Sequence, residues 1–227
     1  MKNFVVFTGA GISAESGLKT FRDSGGLWEN YKVEDVATPE AFFKNPKLVL
    51  NFYNLRRKQL LESVPNVAHF SINNLSAKYN VSIITQNVDD LHERSGSKNI
   101  LHLHGNLTEA RSTIDHKIYD IKGSELNLGD LCPNGGQLRP NVVWFGEEVL
   151  LMHHAISIAK QADFLLIIGT SLNIYPAASI VNYASNAKKI IIVDPNFHDT
   201  FHDERIEIVK NIATKAVPKI VEKYLSL

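Results

Sequence analysis

"FVVFTGAGISAESG", residues 4–17, runs from an unbroken apolar stretch straight into two closely spaced glycines. Consecutive apolar positions mark a strand buried on both faces, as in a parallel sheet. Gly9-Ala10-Gly11-Ile12-Ser13-Ala14 then has the form G-x-G-x-x-A. In a dinucleotide turn, Gly9 permits the tight bend, Gly11 lets backbone N–H groups approach a pyrophosphate, and Ala14 permits close helix packing. The helix N-terminus that follows faces the anion. An ordinary strand–turn–helix corner uses glycines for the same geometric reasons, so both meanings stay open here. The ribose-binding acid expected about 20 residues further on is missing from a strand end, which weakens a dehydrogenase.

Further along the chain, short apolar runs recur: VSIIT (81–85), ILHLH (100–104), FLLIIGT (164–170) and KIIIVD (189–194). Helical patterns fall between them, at 46–62, 66–78, 149–161 and 176–186, with Pro176 suited to a first turn. A closing helix is expected over 218–225, with Pro218 at its start. Alternating strands and helices give the α/β class, a sheet with crossovers. Residues 19–45 read as loop. Residues 108–141 carry Gly and Pro punctuation with little apolar periodicity, as a functional loop or small insert does.

The 227 residues hold 24 Lys+Arg against 24 Asp+Glu. That balance argues against a protein that coats nucleic acid or a membrane surface, which would need a basic excess. The single cysteine excludes an intrachain disulfide and suits a reducing compartment. The N-terminal apolar run is too short for a signal sequence, and no stretch reaches the length of a membrane helix. A cytoplasmic protein is expected.

Several strand ends carry polar residues. TQNVDDLHERSG (85–96) places Gln86, Asn87 and Asp89 at one of them; a helix cap would account for one, not three. GTSLNIYPAAS (169–179) repeats the strand–glycine–helix pattern, and such ends are where open α/β sheets bind ligands. Asp194 ends another strand, to accept from ribose hydroxyls or to start an Asp-Pro turn. HLHGNL (102–107) puts His102 and His104 on one face if the strand is regular; either a general base or a structural histidine fits. Tyr53 and Arg56 are neighbours on one helix face, as a carboxylate clamp or as part of a solvated basic patch.

Taken in order, GAGIS-AESGLKTFRD, TQNVDDLHERSG, LHLHGNL, CPNGGQLRPNVVWFGE and GTSLNIYPAAS resemble the sirtuins, NAD-dependent protein-lysine deacylases, over Phe4 to Leu225. The resemblance implies one catalytic domain over 1–227. Its Rossmann-like, parallel-sheet part would cover about 1–30, 80–107 and 142–227, and small-domain insertions about 31–79 and 108–141. NAD and an acyl-lysine peptide would meet in the cleft between these parts. Gly9, Ala10, Gly11, Ile12 and Ser13 would contact the cofactor, with Phe21, Arg22 and Trp28 of a cofactor loop. Gln86, Asn87, Val88 and Asp89 would line the nicotinamide and ribose pocket. Gly169, Thr170, Ser171, Asp194, Pro195, Asn196 and Ala213 would hold the adenosine side.

His104 would be the general base and Asn87 a second catalytic residue, holding the ribose or a water. Val143, Phe145 and Gly146 would pair with the peptide as an added strand. Tyr53 and Arg56 match the Tyr-x-x-Arg of the branch that removes succinyl, malonyl and glutaryl groups, with Ala37 as a pocket wall. The products would be free lysine, nicotinamide and 2′-O-acyl-ADP-ribose, with acetyl groups also removed. Two departures stand out. The family's four zinc cysteines correspond to Ser112, Asp115, Cys132 and Gly135, so three ligands are gone. A metal-free module follows, with Cys132 an unremarkable loop residue. Asp194 stands where many relatives have Asn. Rival functions are a mono-ADP-ribosyltransferase and a non-catalytic NAD or ADP-ribose binder. The oligomeric state stays open, a monomer included.

Overall fold

The first strand is apolar at successive positions because both its faces are covered: Phe4 and Val6 enter one core, Val5 and Phe7 another. The computed structural model describes residues 1–18, 30–172, 175–197 and 202–226. Its strands are β1 (Asn3–Thr8), β2 (Asn80–Thr85), β3 (Ile100–His102), β4 (Gly105–Ser112), β5 (Ile118–Asp120), β6 (Leu138–Val142), β7 (Phe164–Ile168), β8 (Lys189–Val193) and β9 (Ile206–Val209). The α-helices are α1 (Val33–Val36), α2 (Pro39–Lys44), α3 (Pro46–Glu62), α4 (Val67–Asn74), α5 (Leu91–Arg94), α6 (Met152–Lys160), α7 (Ile180–Tyr183) and α8 (Ala213–Ser226).

Six strands form one parallel sheet in the order β3-β2-β1-β7-β8-β9. The order reverses between β1 and β7, the switch point at which Rossmann-like sheets open a crevice. Ala68 and Ile72 of α4 and Val217 and Val221 of α8 cover the face of Phe4 and Val6. Ala155 and Ala159 of α6, with Ile180 and Val181 of α7, cover the face of Val5 and Phe7. Helix α4 falls within the stretch 31–79 expected as insertion, and it packs on this large sheet. Among the described residues no helix is long and apolar enough to cross a membrane.

Four local expectations are corrected. The stretch 108–141 contains regular structure: β4, β5 and β6 form a separate antiparallel sheet, order β5-β4-β6. A register break between Asn106 and Ala110 interrupts the alternation that would have betrayed it. The described part of 19–45 holds α1 and α2, both too short to show a helical period. Asn45 ends α2 and caps α3, its Oδ1 accepting from the Leu48 N–H at 3.1 Å. Helix α8 begins at Ala213, with Pro218 inside it. Its first turn is held by a remote partner, as Thr214 donates from its N–H and hydroxyl to the Glu15 carboxylate, and that offsets the bond a proline removes. Finally, β3 stops at His102. Gly105 turns the chain with φ 79°, where a Cβ would lie 2.0 Å from the Asn141 oxygen, so His102 and His104 do not share a strand face.

Helix α3 packs on the small sheet, against Leu107 of β4 and Val142 of β6. Val49, Phe52, Tyr53 and Leu60 form its buried stripe, the i, i+3, i+4 spacing of an amphipathic helix. Arg57 is fully buried on the same side. It donates to the Leu107 carbonyl at 2.7 Å and, through Nη1, to the Ser124 carbonyl and Asn54 Oδ1, both at 2.9 Å.

Two fully buried histidines lie behind the ends of β1 and β2. His69 of α4 and His92 of α5 meet edge to face at 5.0 Å. The Thr8 hydroxyl donates to Thr85 at 2.8 Å, so His92 Nε2–H donates to Thr8 at 3.0 Å. Burial lowers the His69 pKa to about 4 and takes His92 well below the usual histidine value, with His69 and His102 charges adding to the second shift. Both imidazoles are therefore neutral when folded, while the unfolded chain takes up protons near pH 6.5. Stability is full above pH 6.5 and is lost as pH falls; His69 contributes about 1.4 kcal/mol per pH unit down to its folded value near 4, and His92 acts in the same direction. Urea unfolding between pH 7 and 5 should show this decline, and His69→Gln should make it shallower; an unchanged slope would remove His69 as its source.

Candidate active site

The site begins where β1 and β7 end. The Gly9 N–H donates to the Ile168 carbonyl at 3.0 Å and the Gly11 N–H to the Gly169 carbonyl at 2.9 Å. Gly169 has φ 63°, and a Cβ there would stand 2.4 Å from the Ile12 nitrogen; one on Gly11 would stand 2.6 Å from Gly169 Cα. Both glycines are required by this turn-on-turn contact. The Gly11 N–H is consequently engaged within the protein.

In front of these turns lies a cleft of about 330 Å³. Ala10, Ser13, Gln86, Asn87, Val88, Asp89 and His104 line it, together with Ala37, Tyr53, Arg56, Val143, Phe145 and Gly146. Gly9 and Thr170 join through hydrogen bonds: Asn87 Nδ2 donates to the Gly9 carbonyl at 3.2 Å, and the Thr170 hydroxyl donates to Gln86 Oε1 at 3.1 Å. Gly11 and Gly169 lie in the turn contact, and Ile12 is buried in the core. Ser171, Asp194, Pro195, Asn196 and Ala213 are not among the residues lining the cleft. Asp194 accepts from the Asn196 N–H at 2.9 Å, closing its own turn, and Ala213 is buried at the start of α8. Phe21, Arg22 and Trp28 lie outside the described residues.

The polar groups at the end of β2 are mutually held. The Ser13 hydroxyl donates to Asp89 Oδ2 at 2.9 Å, and the Leu91 N–H donates to Oδ1 at 3.2 Å. Burial raises the Asp89 pKa, with these two bonds opposing it. Asn87 Nδ2 also donates to Ser13 Oγ at 3.2 Å, and the Asn87 N–H donates to Thr85 Oγ1 at 3.0 Å. Asn87 and Asp89 are therefore aimed by their neighbours.

The two histidines left undistinguished by position differ in their partners. His102 Nδ1 faces the Asn87 carbonyl at 3.1 Å and Nε2 faces Glu93 Oε1 at 2.7 Å. Both nitrogens meet acceptors, so both carry protons. Burial lowers the His102 pKa, but the Glu93 bond and charge outweigh it and the net shift is upward. His104 Nδ1 donates to the Gln86 carbonyl at 2.9 Å. Burial lowers its pKa, the Gln86 bond opposing in part. A neutral ring with Nδ1 protonated leaves Nε2 as an available base on a cleft-lining residue.

Arg56 lies near the Tyr53 and Phe52 rings, 5.6 and 5.8 Å from their centroids. Burial lowers the Arg56 pKa, and Tyr53 and Asp89 counter it. Trp144 Nε1–H donates to the Tyr53 hydroxyl oxygen at 2.9 Å. Trp144 and Glu147 line the cleft; the sequence placed Trp144 only within the peptide-pairing stretch Val143 to Gly146 and gave Glu147 no role. Their signal was present, an aromatic and an acid beside an apolar run in NVVWFGEE, but the partners that give them meaning are remote.

Donor chemistry decides which groups this chain can hold. Acceptors and donors converge from β1, β2 and β7 at the switch point, with a buried carboxylate among them, and the set fits a dinucleotide. The four positions corresponding to zinc ligands do not fit that metal. Cys132 is buried, not a bare loop residue: its Sγ accepts from the Ser112 hydroxyl at 3.4 Å and the Gly136 N–H at 3.3 Å. Ser112 Oγ in turn accepts from the Ile114 and Asp115 N–H groups at 3.3 and 3.4 Å. In both turns the side chain accepts from backbone N–H groups that follow it, and the two side chains bond to each other. Gly135 offers no ligand, and among the described residues no group of three or more His, Cys, Asp or Glu is placed to hold a metal.

The family model described as "Sir2 family" matches residues 9–176. A Helicobacter pylori (strain J99) protein named NAD-dependent protein deacylase is 49% identical, the match covering 100% of this chain and 97% of that protein. A Bacteroides thetaiotaomicron protein of the same name is also 49% identical, with 97% of each chain covered. Among solved structures, a Sir2 homologue F159A mutant bound to ADP ribose superposes with a TM-score of 0.88 at 36% identity, covering 100% of this chain and 94% of that one. A Sir2 homologue in complex with NAD superposes with a TM-score of 0.86 at 35% identity, covering 99% and 90%. A parallel sheet opened at its switch point, a small antiparallel sheet beside it, and agreement over the full length lead to one conclusion: this chain belongs to the Sir2 family.

Proposed function

We propose that this protein removes succinyl and malonyl groups, and acetyl groups as well, from lysine side chains of protein substrates, releasing nicotinamide and 2′-O-acyl-ADP-ribose. Family membership and full-length relatives at 49% identity make it an NAD-dependent protein deacylase with acylated proteins as substrates; the acyl preference and the residue roles are our own. One observation carries the preference. Arg56 and Tyr53 line the same cleft as His104 and the small side chain of Ala37. A guanidinium and a phenol suit the terminal carboxylate of a longer acyl group, the first through charge-assisted bonds.

When bound, NAD supplies a glycosidic carbon with nicotinamide as leaving group. Asn87 and Asp89, held by Ser13 and the Leu91 N–H, orient the ribose and carboxamide. His104, neutral and protonated on Nδ1, takes a proton at Nε2 from a ribose hydroxyl. Val143, Phe145 and Gly146 receive the peptide at the cleft wall as an added strand. Thr170 braces Gln86 from β7, and the apolar walls exclude water from the reacting groups. The small module holds through its Cys132–Ser112 bonds, without zinc.

Incubation with NAD and matched acetyl-, succinyl- and malonyl-lysine peptides tests the preference. Arg56→Met should lower kcat/KM on the succinyl peptide roughly 30- to 150-fold, the equivalent of about 2–3 kcal/mol for a charge-assisted pair, while sparing the acetyl peptide. Full desuccinylation by that variant would end the carboxylate assignment. For His104, a pKa held down by burial places the acid limb of kcat/KM below pH 6.5, and His104→Ala should cost roughly 10²–10⁴-fold. A limb well above pH 6.5 would contradict the neutral ring. Elemental analysis should find no stoichiometric zinc, and one zinc per chain would refute the metal-free module.

A further inference from the structure

We propose that Trp144 is a specificity-determining positioning residue: its indole N–H turns the Tyr53 hydroxyl so that the phenol proton is presented to an acyl carboxylate. The role rests on the acyl-carboxylate preference proposed above and assigns part of that preference to a residue outside the Tyr-x-x-Arg helix.

An indole N–H can only donate. At 2.9 Å from the Tyr53 oxygen, Trp144 Nε1 occupies an accepting direction of that hydroxyl. The phenol proton must then point elsewhere, and Tyr53 lines the cleft. Tyr53 and Trp144 are 1% and 3% exposed, so bulk water offers the hydroxyl little alternative. Burial also keeps the phenol protonated. A hydroxyl whose accepting side is taken is a donor, which matches an ionised carboxylate, an acceptor only. An acetyl group has no such oxygen pair and gains nothing from the alignment.

The indole is itself clamped. The Arg139 guanidinium lies 3.3 Å from the centroid of the Trp144 ring. Glu147 accepts from Arg139 at 2.6 and 3.0 Å, and from the Trp144 backbone N–H at 2.8 Å. Phe42 packs on the ring at 5.3 Å. Arg139 belongs to β6, so the small antiparallel sheet sets the angle at which the indole meets Tyr53. This gives the small module a part in acyl selection.

The test compares kcat/KM for succinyl- and acetyl-lysine peptides in four variants. Trp144→Phe keeps an aromatic ring and removes the donor; the succinyl-to-acetyl ratio should fall about tenfold, through a higher KM for the succinyl peptide. Tyr53→Phe should lower the ratio as much, and the double variant no further, because Trp144 acts through Tyr53. Arg56→Met separates the two claims. If it leaves the ratio unchanged, the carboxylate preference itself fails. If it lowers the ratio while Trp144→Phe does not, or if the Trp144 and Tyr53 losses multiply, the Trp144 role alone is overturned. Should Trp144→Phe fail to fold by circular dichroism, Arg139→Met unclamps the indole with the phenol intact. It should lower the ratio severalfold, and an unchanged ratio would overturn the proposal.

Discussion

The contact of two glycine turns at the switch point is the constraint on which the other features depend. Neighbouring strands in a parallel sheet lie about 4.8 Å apart, and the chain must turn away from β1 and β7 within that spacing. Gly11 and Gly169 touch backbone to backbone, and neither tolerates a Cβ. Because the turns interlock, Gly9 presents its carbonyl to Asn87 and Thr170 reaches Gln86. The ends of β1, β2 and β7 are thereby fixed relative to one another before any ligand arrives. Preorganised dipoles of this kind need no rearrangement during a reaction.

Partners, not residue type, divide the work among the histidines near these ends. His69 and His92 are neutral because they are buried without a counter-charge. His102 is charged because Glu93 and a carbonyl claim both of its nitrogens. His104 is neutral with one nitrogen committed to Gln86. Only that last state suits a base.

The small sheet holds its turns through hydrogen bonds to one thiol and one hydroxyl. The backbone N–H groups of Ile114 and Asp115 point at Ser112 Oγ, and that of Gly136 at Cys132 Sγ. Each such bond is worth about 1 kcal/mol net, far less than a structural zinc supplies in small peptides, roughly 10–16 kcal/mol. Arg57 adds ties from α3, through the carbonyls of Leu107 and Ser124. The same sheet presents Arg139 to Trp144, so its rigidity bears on the cleft wall.

The α/β class, the order of motifs and the polar residues at the end of β2 were legible in the residues. Unbroken apolar runs such as FVVF and LLII encode strands buried on both faces, and glycines placed right after them encode turns with no room for side chains. These are local signals. The β4–β6 sheet was not legible, because a register break hides its alternation, nor was the start of α8, which depends on Glu15 nearly two hundred residues away in sequence. Position along the chain could not separate His102 from His104, or a clamp at Tyr53 and Arg56 from a solvated patch. Tertiary structure separated the histidines, because protonation and orientation belong to a residue's neighbours. The sequence by itself determined which groups reach the strand ends; only the folded arrangement decided which of them face one another across the cleft.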